Sequence, residues 1–552
     1  MKRYACVALA FLTLALFWGG PAAAAEPPGE SVEAVRATVL NLIRALVDQG
    51  VISAAKAQDM LRQAGLDPAL LNAPQVSQVA PPAEPPKPEV RVPYLPQTVK
   101  DEMRDELRQE IVAQAREERW GQAGALPDWI SRFRLFGDMR IRYQREQYPG
   151  DNTVPSSIDG WYQLPPGTTK DTLTSREQEL VRARLGFEMQ MGEHFSGQMR
   201  IVAVNGDTLT ASPVTYNVDE ASYGRPFSAG IDIANIGWQP LPYARATLGR
   251  MPNPYLGTDL IFANDLSFDG IVVNAEPHLT RDWNAVVTVG AHPLTSNWVG
   301  PYNSASNQWL YTGQLGMAWK GLDESSLQTA LTYYDYVGLE GQLNSPGIVG
   351  SGATNNTLSA PPFRILGNTM FNLDFYSDPN GTPVYGYASK FRLFNAFARF
   401  DYARFEPIRL GFTADFVRNV GFNVNEISKR IQGAAGALPV DNNGLTALNR
   451  PRVMGYRVGF NISKGDQQHP GDWQVFGGYR YLERDAVPDG FTSLDYRLGG
   501  TDQRSTILGG SVALSSRVGL RLFVTQAKAI DAPAPAIKYG IDTWFLDLYG
   551  SF

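Results

Sequence analysis

The sequence contains only one cysteine, Cys6, and that residue lies in an apolar N-terminal segment. The segment covers Tyr4–Trp18, follows two basic residues, and precedes Ala22–Ala25, whose small side chains suit a cleavage site. This pattern is typical of a secretory signal peptide over residues 1–25, and the apolar segment is short for a membrane anchor. We therefore expect a secreted mature chain without thiols, which excludes disulfides, thiolate metal sites and a cysteine nucleophile.

Long apolar runs are also lacking. No stretch of 18 or more apolar residues follows the signal segment, so the sequence predicts no helical membrane span. A basic excess is missing as well: the net charge is −6, and loss of Lys2 and Arg3 with the signal peptide makes it −8. A chain with this balance is not expected to bind nucleic acid.

Motifs for catalysis and metal binding are absent too. The four histidines show no H-E-x-x-H pattern and no i, i+4 pairing, and we expect at least three of them in turns or at strand ends; they are His194, His278, His292 and His469. No G-x-S-x-G motif, P-loop or G-x-G-x-x-G motif occurs. We predict no metal, no cofactor and no catalytic residue, hence no enzyme. A hydrolase assembled from side chains on separate strands is the alternative, and a hydrolysis assay would detect it.

Aromatic residues and glycine are abundant instead, with 24 Tyr, 26 Phe, 11 Trp and 53 Gly. From Arg132 onward the apolar residues recur with a period of two, which indicates strands with one apolar face. Sixteen segments have the length that a tilted strand needs to cross a membrane. They lie near 133–147, 180–191, 195–205, 229–238, 243–250, 267–276, 282–291, 309–320, 326–337, 392–402, 407–418, 453–464, 471–482, 504–515, 517–527 and 541–552.

The connections between these segments alternate in length. The long ones include 148–179, 251–266 and 338–391, whereas the turn at Ser515–Ser516 is one of the shortest. Long loops on one side and tight turns on the other are typical of an outer-membrane barrel. A soluble sandwich array or a propeller would not place aromatic residues on one face of nearly every strand, and it would show a constant repeat, which is absent. The sequence therefore predicts an all-β transmembrane fold, an antiparallel up-and-down β-barrel of about 16 strands over residues 132–552.

The final predicted strand has an apolar face that ends on Phe552. The other members of that face are Trp544, Leu546 and Leu548, while Phe545 is an exception on the opposite, polar face. A last strand that ends on an aromatic residue is how bacterial outer-membrane barrels end. We expect these residues to act as an assembly signal for the barrel assembly machinery, with Phe552 on the lipid face at the periplasmic side.

The part of the chain between the signal peptide and the barrel has a different composition. Apolar residues at helical spacing predict a periplasmic helical segment over 26–73, and the proline-rich stretch 74–96 predicts an extended linker. Residues 97–131 predict a charged helix and a junction to the barrel. Its apolar stripe at i, i+4 positions suits either a solvated helix with one apolar seam or a short coiled coil between protomers.

Two stretches resemble the bacterial "putative porin" family. The first contains Glu118–Gly121, Leu126–Trp129 and Arg132–Tyr143, and it is similar to the junction between a tether helix and the first strand in that family. The second, weaker one contains Leu248–Arg250 and Leu260–Gly270. The resemblance covers roughly residues 97–552. It implies an outer-membrane channel, usually a homotrimer, and it names no solute.

The inner wall of the predicted barrel is rich in arginine. Once apolar residues are assigned to the lipid face, ten arginines take the opposite parity: Arg140, Arg142, Arg182, Arg184, Arg200, Arg399, Arg409, Arg457, Arg480 and Arg521. Alternation alone can explain this, since an arginine on the lipid face costs about 2–4 kcal/mol. The alternative is an arginine ladder that sets selectivity opposite carboxylates. Those carboxylates would be Asp259 and Asp265 of the third long loop, because this loop commonly folds into the lumen of porins of this size. We expect them to face Arg140, Arg142, Arg182, Arg184 and Arg200.

We therefore expect an outer-membrane porin that passes small hydrophilic solutes or ions by diffusion, with its N-terminal extension in the periplasm. The alternative is a barrel plugged by its loops that serves as an anchor to peptidoglycan or to a periplasmic partner. A third option is the barrel of an electron conduit that sheaths a partner cytochrome. The mature chain has no cysteine for haem attachment, so that cytochrome would be a separate protein. Stepwise single-channel conductance would separate the first option from the second.

Overall fold

The computed structural model describes residues 132–157, 172–205, 228–295, 307–321, 323–344, 356–361, 364–374, 384–431, 451–497, 499–531 and 538–552. The predicted signal peptide, periplasmic helical segment, proline-rich linker and charged or coiled-coil helix all lie outside these residues. A search of the same residues for a helix with the length and apolar character of a membrane span finds none.

Eighteen strands and one α-helix account for most of the described chain. In order they are β1 (Phe133–Gln147), β2 (Arg176–Gln190), β3 (Phe195–Val204), β4 (Ser228–Leu241), β5 (Ala244–Pro252), β6 (Ser267–Ala275), β7 (Trp283–Thr295), β8 (Gln308–Lys320), β9 (Ser326–Val337), β10 (Met370–Asn372), β11 (Tyr385–Tyr387), β12 (Arg392–Phe405), β13 (Ile408–Asn419), α1 (Val424–Arg430), β14 (Met454–Lys464), β15 (Trp473–Leu482), β16 (Gln503–Ala513), β17 (Val518–Ala529) and β18 (Gly540–Ser551).

Sixteen of these strands form a closed antiparallel barrel. Each barrel strand pairs with its neighbours along the chain, and β1 pairs with β18 to close the ring. The short strands β10 and β11 pair only with each other, inside the long connection between β9 and β12. The predicted barrel of about 16 strands is confirmed.

The alternation of side chains explains why these segments form a barrel. On β1 the outward residues Leu135 and Met139 are 67% and 50% exposed, whereas the inward Glu146 is fully buried. A closed sheet satisfies every backbone group internally, so its outer face can meet lipid and its inner face can hold charge.

The seam between the first and last strands depends on a glycine. The backbone amides of Gly137 and Phe552 donate to each other's carbonyl oxygens, at 3.2 and 3.0 Å. A Cβ at position 137 would lie 2.6 Å from the Phe552 ring and 2.6 Å from the backbone oxygen of Arg184. Any larger residue at this position would therefore push against both neighbours of β1.

The described residues of three long connections turn inward and form an apolar core within the barrel. We call them loop L3 (253–266, between β5 and β6), loop L5 (338–391, between β9 and β12) and loop L7 (483–502, between β15 and β16). Buried residues of this core come from all three loops and from the inner wall; among them are Leu260, Ile261, Phe262, Met370, Tyr387, Ala486, Val487, Tyr334, Leu393 and Val417. The Phe262 ring packs edge-on against Tyr334 at 5.4 Å and Phe491 at 6.3 Å.

Buried carboxylates fasten loop L5 to loop L7. The Asp489 carboxylate accepts hydrogen bonds from the Tyr387 hydroxyl at 2.5 Å and from the Ile365 amide at 3.0 Å. The Asp485 carboxylate accepts two from Thr369, one from the amide at 2.8 Å and one from the hydroxyl at 2.6 Å. Because both carboxylates are fully buried, these donors are needed to satisfy them. Loops L5 and L7 are thus held as one unit.

Candidate pore constriction

Loop L3 crosses the lumen and is fixed at several points on the wall. The amide and hydroxyl of Thr258 donate to Asp415 on β13 at 2.9 and 2.7 Å. The side-chain amide of Gln314 on β8 forms two hydrogen bonds of 2.9 Å with the backbone of Leu256. Loop L3 is thus held by inward side chains of β8 and β13, and it narrows the lumen at that depth.

A buried Tyr–His pair fastens the start of loop L3. The hydroxyl of Tyr255 lies 2.6 Å from Nε2 of His292, whose Nδ1 is 2.8 Å from the backbone oxygen of Asp269. A carbonyl can only accept, so Nδ1 carries the proton and Nε2 accepts from Tyr255. Sequence reasoning assigned no role to His292, because its partner lies 37 residues away on a loop that had to fold inward first.

The end of loop L3 meets arginines of β1 and β2. Asp265 forms ion pairs with Arg182 at 2.6 Å and Arg184 at 3.5 Å. Both guanidiniums also contact Asp138, at 3.3 and 2.7 Å. Burial alone would raise the pKa of Asp265, but the charges of Arg182, Arg140 and Arg184 outweigh it and lower the pKa below its usual value. Asp265 is therefore ionised at neutral pH.

Asp259 takes a different partner from those expected for it. It pairs with Arg457 on β14 at 2.8 Å, and β14 lies five strands along the ring from β1. Nearby, Arg480 on β15 donates to the backbone oxygen of Leu260 at 3.2 Å and stacks on the Tyr496 ring at 4.9 Å. The two carboxylates of loop L3 thus face two separate groups of arginines.

Arg142 is fully engaged at the junction of β1 and β18. It forms a bidentate pair with Asp547, at 2.7 and 2.9 Å, and reaches Asp495 of loop L7 at 2.9 Å. Its guanidinium also lies 4.7 Å from the centre of the Phe545 ring. The inward Phe545, the exception in the alternation of the last strand, is therefore a platform for Arg142.

The other predicted pore-lining arginines with carboxylate partners lie elsewhere along the wall. Arg200 pairs with Asp232 at 2.7 Å, Arg399 with Asp401 at 2.8 Å, and Arg409 with Glu324 at 2.6 Å. None of these three pairs includes a residue of loop L3. They are wall pairs that balance charge between neighbouring strands or at the turns.

Arg480 has no carboxylate within 4 Å among the residues that the structure describes, and neither do Arg140 and Arg521. Arg140 and Arg521 differ from Arg480 because they face an open space. Together with Arg182, Arg184 and Arg457 they line a cavity of about 540 Å³ on the inner wall. We call this space the arginine cavity.

The predicted assembly residues lie on the outer face of β18 and just beyond it. Trp544, Leu546 and Leu548 are 46%, 40% and 41% exposed, and Phe552 is 60% exposed. Their apolar surface is available to lipid or to another protein.

One group within the described part of the chain could hold a metal ion by distance alone. Ligand atoms of Asp466, His469 and Asp472, in the turn between β14 and β15, lie within 4.8 Å of one another. Asp466 and His469 are exposed, and Asp472 already accepts a hydrogen bond from the His469 amide at 3.1 Å.

The closed barrel, its inward loop L3 and its arginine-bearing wall are the features of a porin-like channel. The sequence agrees with this class, because residues 36–552 match the family model described as "Putative porin". The chain belongs to this family, and it is accordingly an outer-membrane channel protein.

Several solved structures of outer-membrane proteins show low overall similarity to this chain. OprB of Pseudomonas putida has a TM-score of 0.43 and 11% identity, and the match covers 76% of this chain and 94% of that one. The outer-membrane channel DcaP of Acinetobacter baumannii has a TM-score of 0.38 and 9% identity, with 76% and 97% covered. No curated protein sequence matches this chain. Values this low transfer no property of those proteins to it.

Proposed function

We propose that the protein is a passive diffusion channel for small hydrophilic solutes or ions. The solute path runs through the arginine cavity, beside loop L3. The supporting observation is the arginine cavity itself, an open space of about 540 Å³ on the inner wall that is lined by charged side chains. Charged side chains that line an aqueous passage set its selectivity.

We also propose an orientation and an oligomeric state for the channel. The short turns and the N-terminal extension (residues 26–131) face the periplasm, and the protein assembles as a homotrimer. Trp544, Leu546, Leu548 and Phe552 are read by the barrel assembly machinery. Chemical cross-linking in intact outer membranes tests the trimer: a ladder that stops at three supports it, and a single monomer band contradicts it.

Planar bilayer recording of the purified full-length protein tests the channel. We expect stepwise current increases in KCl, since each inserted barrel would open one aqueous path. Heat-modified mobility on a gel provides the folding control. Folded, inserted protein without any stepwise current would contradict the proposal.

The second candidate is a plugged barrel that anchors the outer membrane to peptidoglycan or to a periplasmic partner. The observation in its favour is the apolar core of loops L3, L5 and L7, in which the Ala263 amide donates to the Phe491 oxygen at 2.8 Å. A plugged barrel would give no current and would co-sediment with peptidoglycan through its N-terminal extension. Removal of residues 26–131 behind an intact signal peptide would abolish co-sedimentation on this view.

A further inference from the structure

We infer that Arg140 and Arg521 form a binding site for small oxyanions, carboxylates or phosphates, in the arginine cavity, so that the channel favours anionic solutes. This inference rests on the diffusion channel proposed above and adds the chemical class of the solute. It follows from the pairing of charges, the geometry of Arg521 and the placement of both arginines across β18.

The pairing of charges leaves a positive surplus at the cavity. Arg182 and Arg184 share Asp138 and Asp265, while Arg457 pairs with Asp259. Nearby, Arg142 is neutralised by Asp547 and Asp495. Five carboxylates thus face six arginines, which leaves one positive charge in surplus. Within the described residues, Arg140 and Arg521 are the two arginines of this set without a carboxylate within 4 Å. A water-filled space with surplus positive charge raises the local concentration of anions.

The surroundings of Arg521 fix the direction in which it can bind. Its guanidinium lies 4.5 Å from the centre of the Phe476 ring and 4.6 Å from that of Phe523. Aromatic rings take up the faces of a guanidinium and leave its N–H groups pointing outward in the plane. The Nε of Arg521 is buried, so its terminal N–H groups are the ones that a solute in the cavity can reach. A planar fork with free in-plane donors suits a carboxylate or a phosphate.

The strand register places Arg140 near Arg521. On β18, Tyr549 pairs with Arg140 of β1 and with Gly519 of β17, and the next inward residue, Asp547, pairs with Arg521. The two arginines therefore lie diagonally on either side of β18, about two strand spacings of ~4.8 Å apart. Both line the same cavity of about 540 Å³. This volume is within the range of about 300–1,000 Å³ that holds small ligands.

The neighbourhood of Arg140 favours an incoming anion. Its register partner on β2 is Arg182, and Arg142 lies two residues along β1. Three guanidiniums close together repel one another unless anions balance them. Asp265 and Asp547 balance the other two, so a solute oxyanion would complete the set at Arg140.

Planar bilayer recording of the full-length protein tests the site in two steps. The reversal potential in a KCl gradient gives the anion-to-cation permeability ratio, which we expect to favour chloride. Sodium phosphate and sodium succinate are then titrated against the chloride current, with glucose as the neutral probe. We expect reduction of the current by at least one oxyanion and none by glucose; phosphate alone would assign tetrahedral oxyanions, and succinate alone would assign carboxylates.

Three double variants separate binding from general charge. Arg140→Gln/Arg521→Gln should raise the half-blocking oxyanion concentration at least about tenfold, the scale of one lost charge-assisted hydrogen bond. Arg140→Lys/Arg521→Lys keeps the charge but loses the planar fork, so chloride preference should persist while oxyanion block weakens. The control Arg404→Gln/Arg517→Gln removes two charges at turns outside the cavity and should leave the block unchanged.

The outcomes distinguish this inference from the channel itself. Folded protein without stepwise current would overturn the diffusion channel and the site together. Stepwise current with cation preference, or oxyanion block that is equal in wild type and Arg140→Gln/Arg521→Gln, would overturn the site alone. If the glutamine variant does not fold, the wild-type titration still decides, because absence of block by both phosphate and succinate contradicts the inference.

Discussion

At the residue scale, the electrostatic effect of each inward arginine depends on the residues that it contacts. Arg142 has two carboxylates and an aromatic platform, whereas Arg521 has two aromatic rings and no carboxylate within 4 Å in the described chain. Both residues occupy inward positions of barrel strands. Their electrostatic roles nevertheless differ, because a paired guanidinium contributes little field to the lumen and an unpaired one contributes a full charge.

Asp265→Asn should make the channel more anion-selective. The substitution removes the carboxylate that Arg182 and Arg184 share with loop L3. A unit charge about 7 Å from a passing ion contributes roughly 0.6 kcal/mol in a water-like medium, so the permeability ratio should rise about threefold or more. Reversal potentials in a KCl gradient measure this change. Asp151→Asn, which removes the same charge from an exposed pair with Lys538, is the control; an equal shift in both variants would contradict a local effect.

At the element scale, loops L5 and L7 behave as parts of a packed interior. Burial raises the pKa of Asp485 to about 6, against the hydrogen bonds from Thr369 and the charge of Arg484, which lower it. Burial likewise raises the pKa of Asp489, although Arg364 and Tyr387 act in the opposite direction. Both carboxylates lie in loop L7, so the packing of the loops is linked to pH.

The contact between loops L5 and L7 should therefore strengthen below about pH 6. With a folded pKa above the usual value of 3.8, Asp485 binds a proton more tightly in the packed loops than in opened ones. The packed state consequently loses up to about 1.4 kcal/mol per pH unit as pH rises from about 4 to 6. Hydrogen exchange of loop amides in detergent, compared at pH 4.5 and 7.5 after correction for intrinsic rates, measures the difference. Asp485→Asn should show a weaker pH dependence, and an unchanged one would count against this assignment.

At the scale of the whole molecule, closure of the ring depends on how β1 meets β18. The seam is as well paired as the other strand contacts, with ten register pairs from Asp138 to Gln147. It also joins two strands that are far apart in the chain and must meet late in folding. The close approach of Phe552 to Gly137 makes the seam sensitive to side-chain volume.

Gly137→Val should lower the temperature at which the barrel unfolds in SDS. The added side chain would overlap the Phe552 ring and the Arg184 backbone, and overpacking of this kind typically costs about 1–3 kcal/mol. Gly313→Val on β8 is the matched control, because a Cβ there meets nothing within 4 Å. Heat-modified gel mobility measures both variants. Identical unfolding temperatures would show that the seam tolerates the extra volume.

The strands could be predicted from the sequence because lipid on one side and water on the other force a period of two. This constraint acts on each strand independently, so the sequence predicts even the nine-residue strands β5 and β6. The partners of the inward residues could not be predicted in the same way. The pairing of Asp259 with Arg457, and not with the arginines of β1 and β2, depends on the path of loop L3 across the lumen.

The buried charged residues of loop L7 show most clearly what the sequence alone does not predict. Its sequence is rich in charged residues and glycine, which is typical of an exposed loop, yet Arg484, Asp485, Asp489 and Arg497 are almost completely buried. Their burial is possible only because loop L5 supplies donors such as Asn368, whose side-chain amide donates to the carbonyl oxygens of Arg484 and Val487 at 2.6 and 2.8 Å. A contact of this kind joins residues more than 100 positions apart, and no local pattern encodes it.

The apolar core of loops L3, L5 and L7 divides the barrel into two unlike half-cylinders. Strands β6, β8, β9, β12 and β13 meet the core with neutral inward residues such as Tyr334, Leu393 and Val417, whereas residues of β14 to β18 with β1 and β2 line the arginine cavity. The first half should accept substitutions as sparingly as the interior of a globular enzyme. In the second half, inward positions other than the charged ones should tolerate substitution as readily as a solvated surface does. Substitutions that change the solute preference of the channel, whether natural or made in the laboratory, should therefore accumulate on the side of the barrel that faces the arginine cavity.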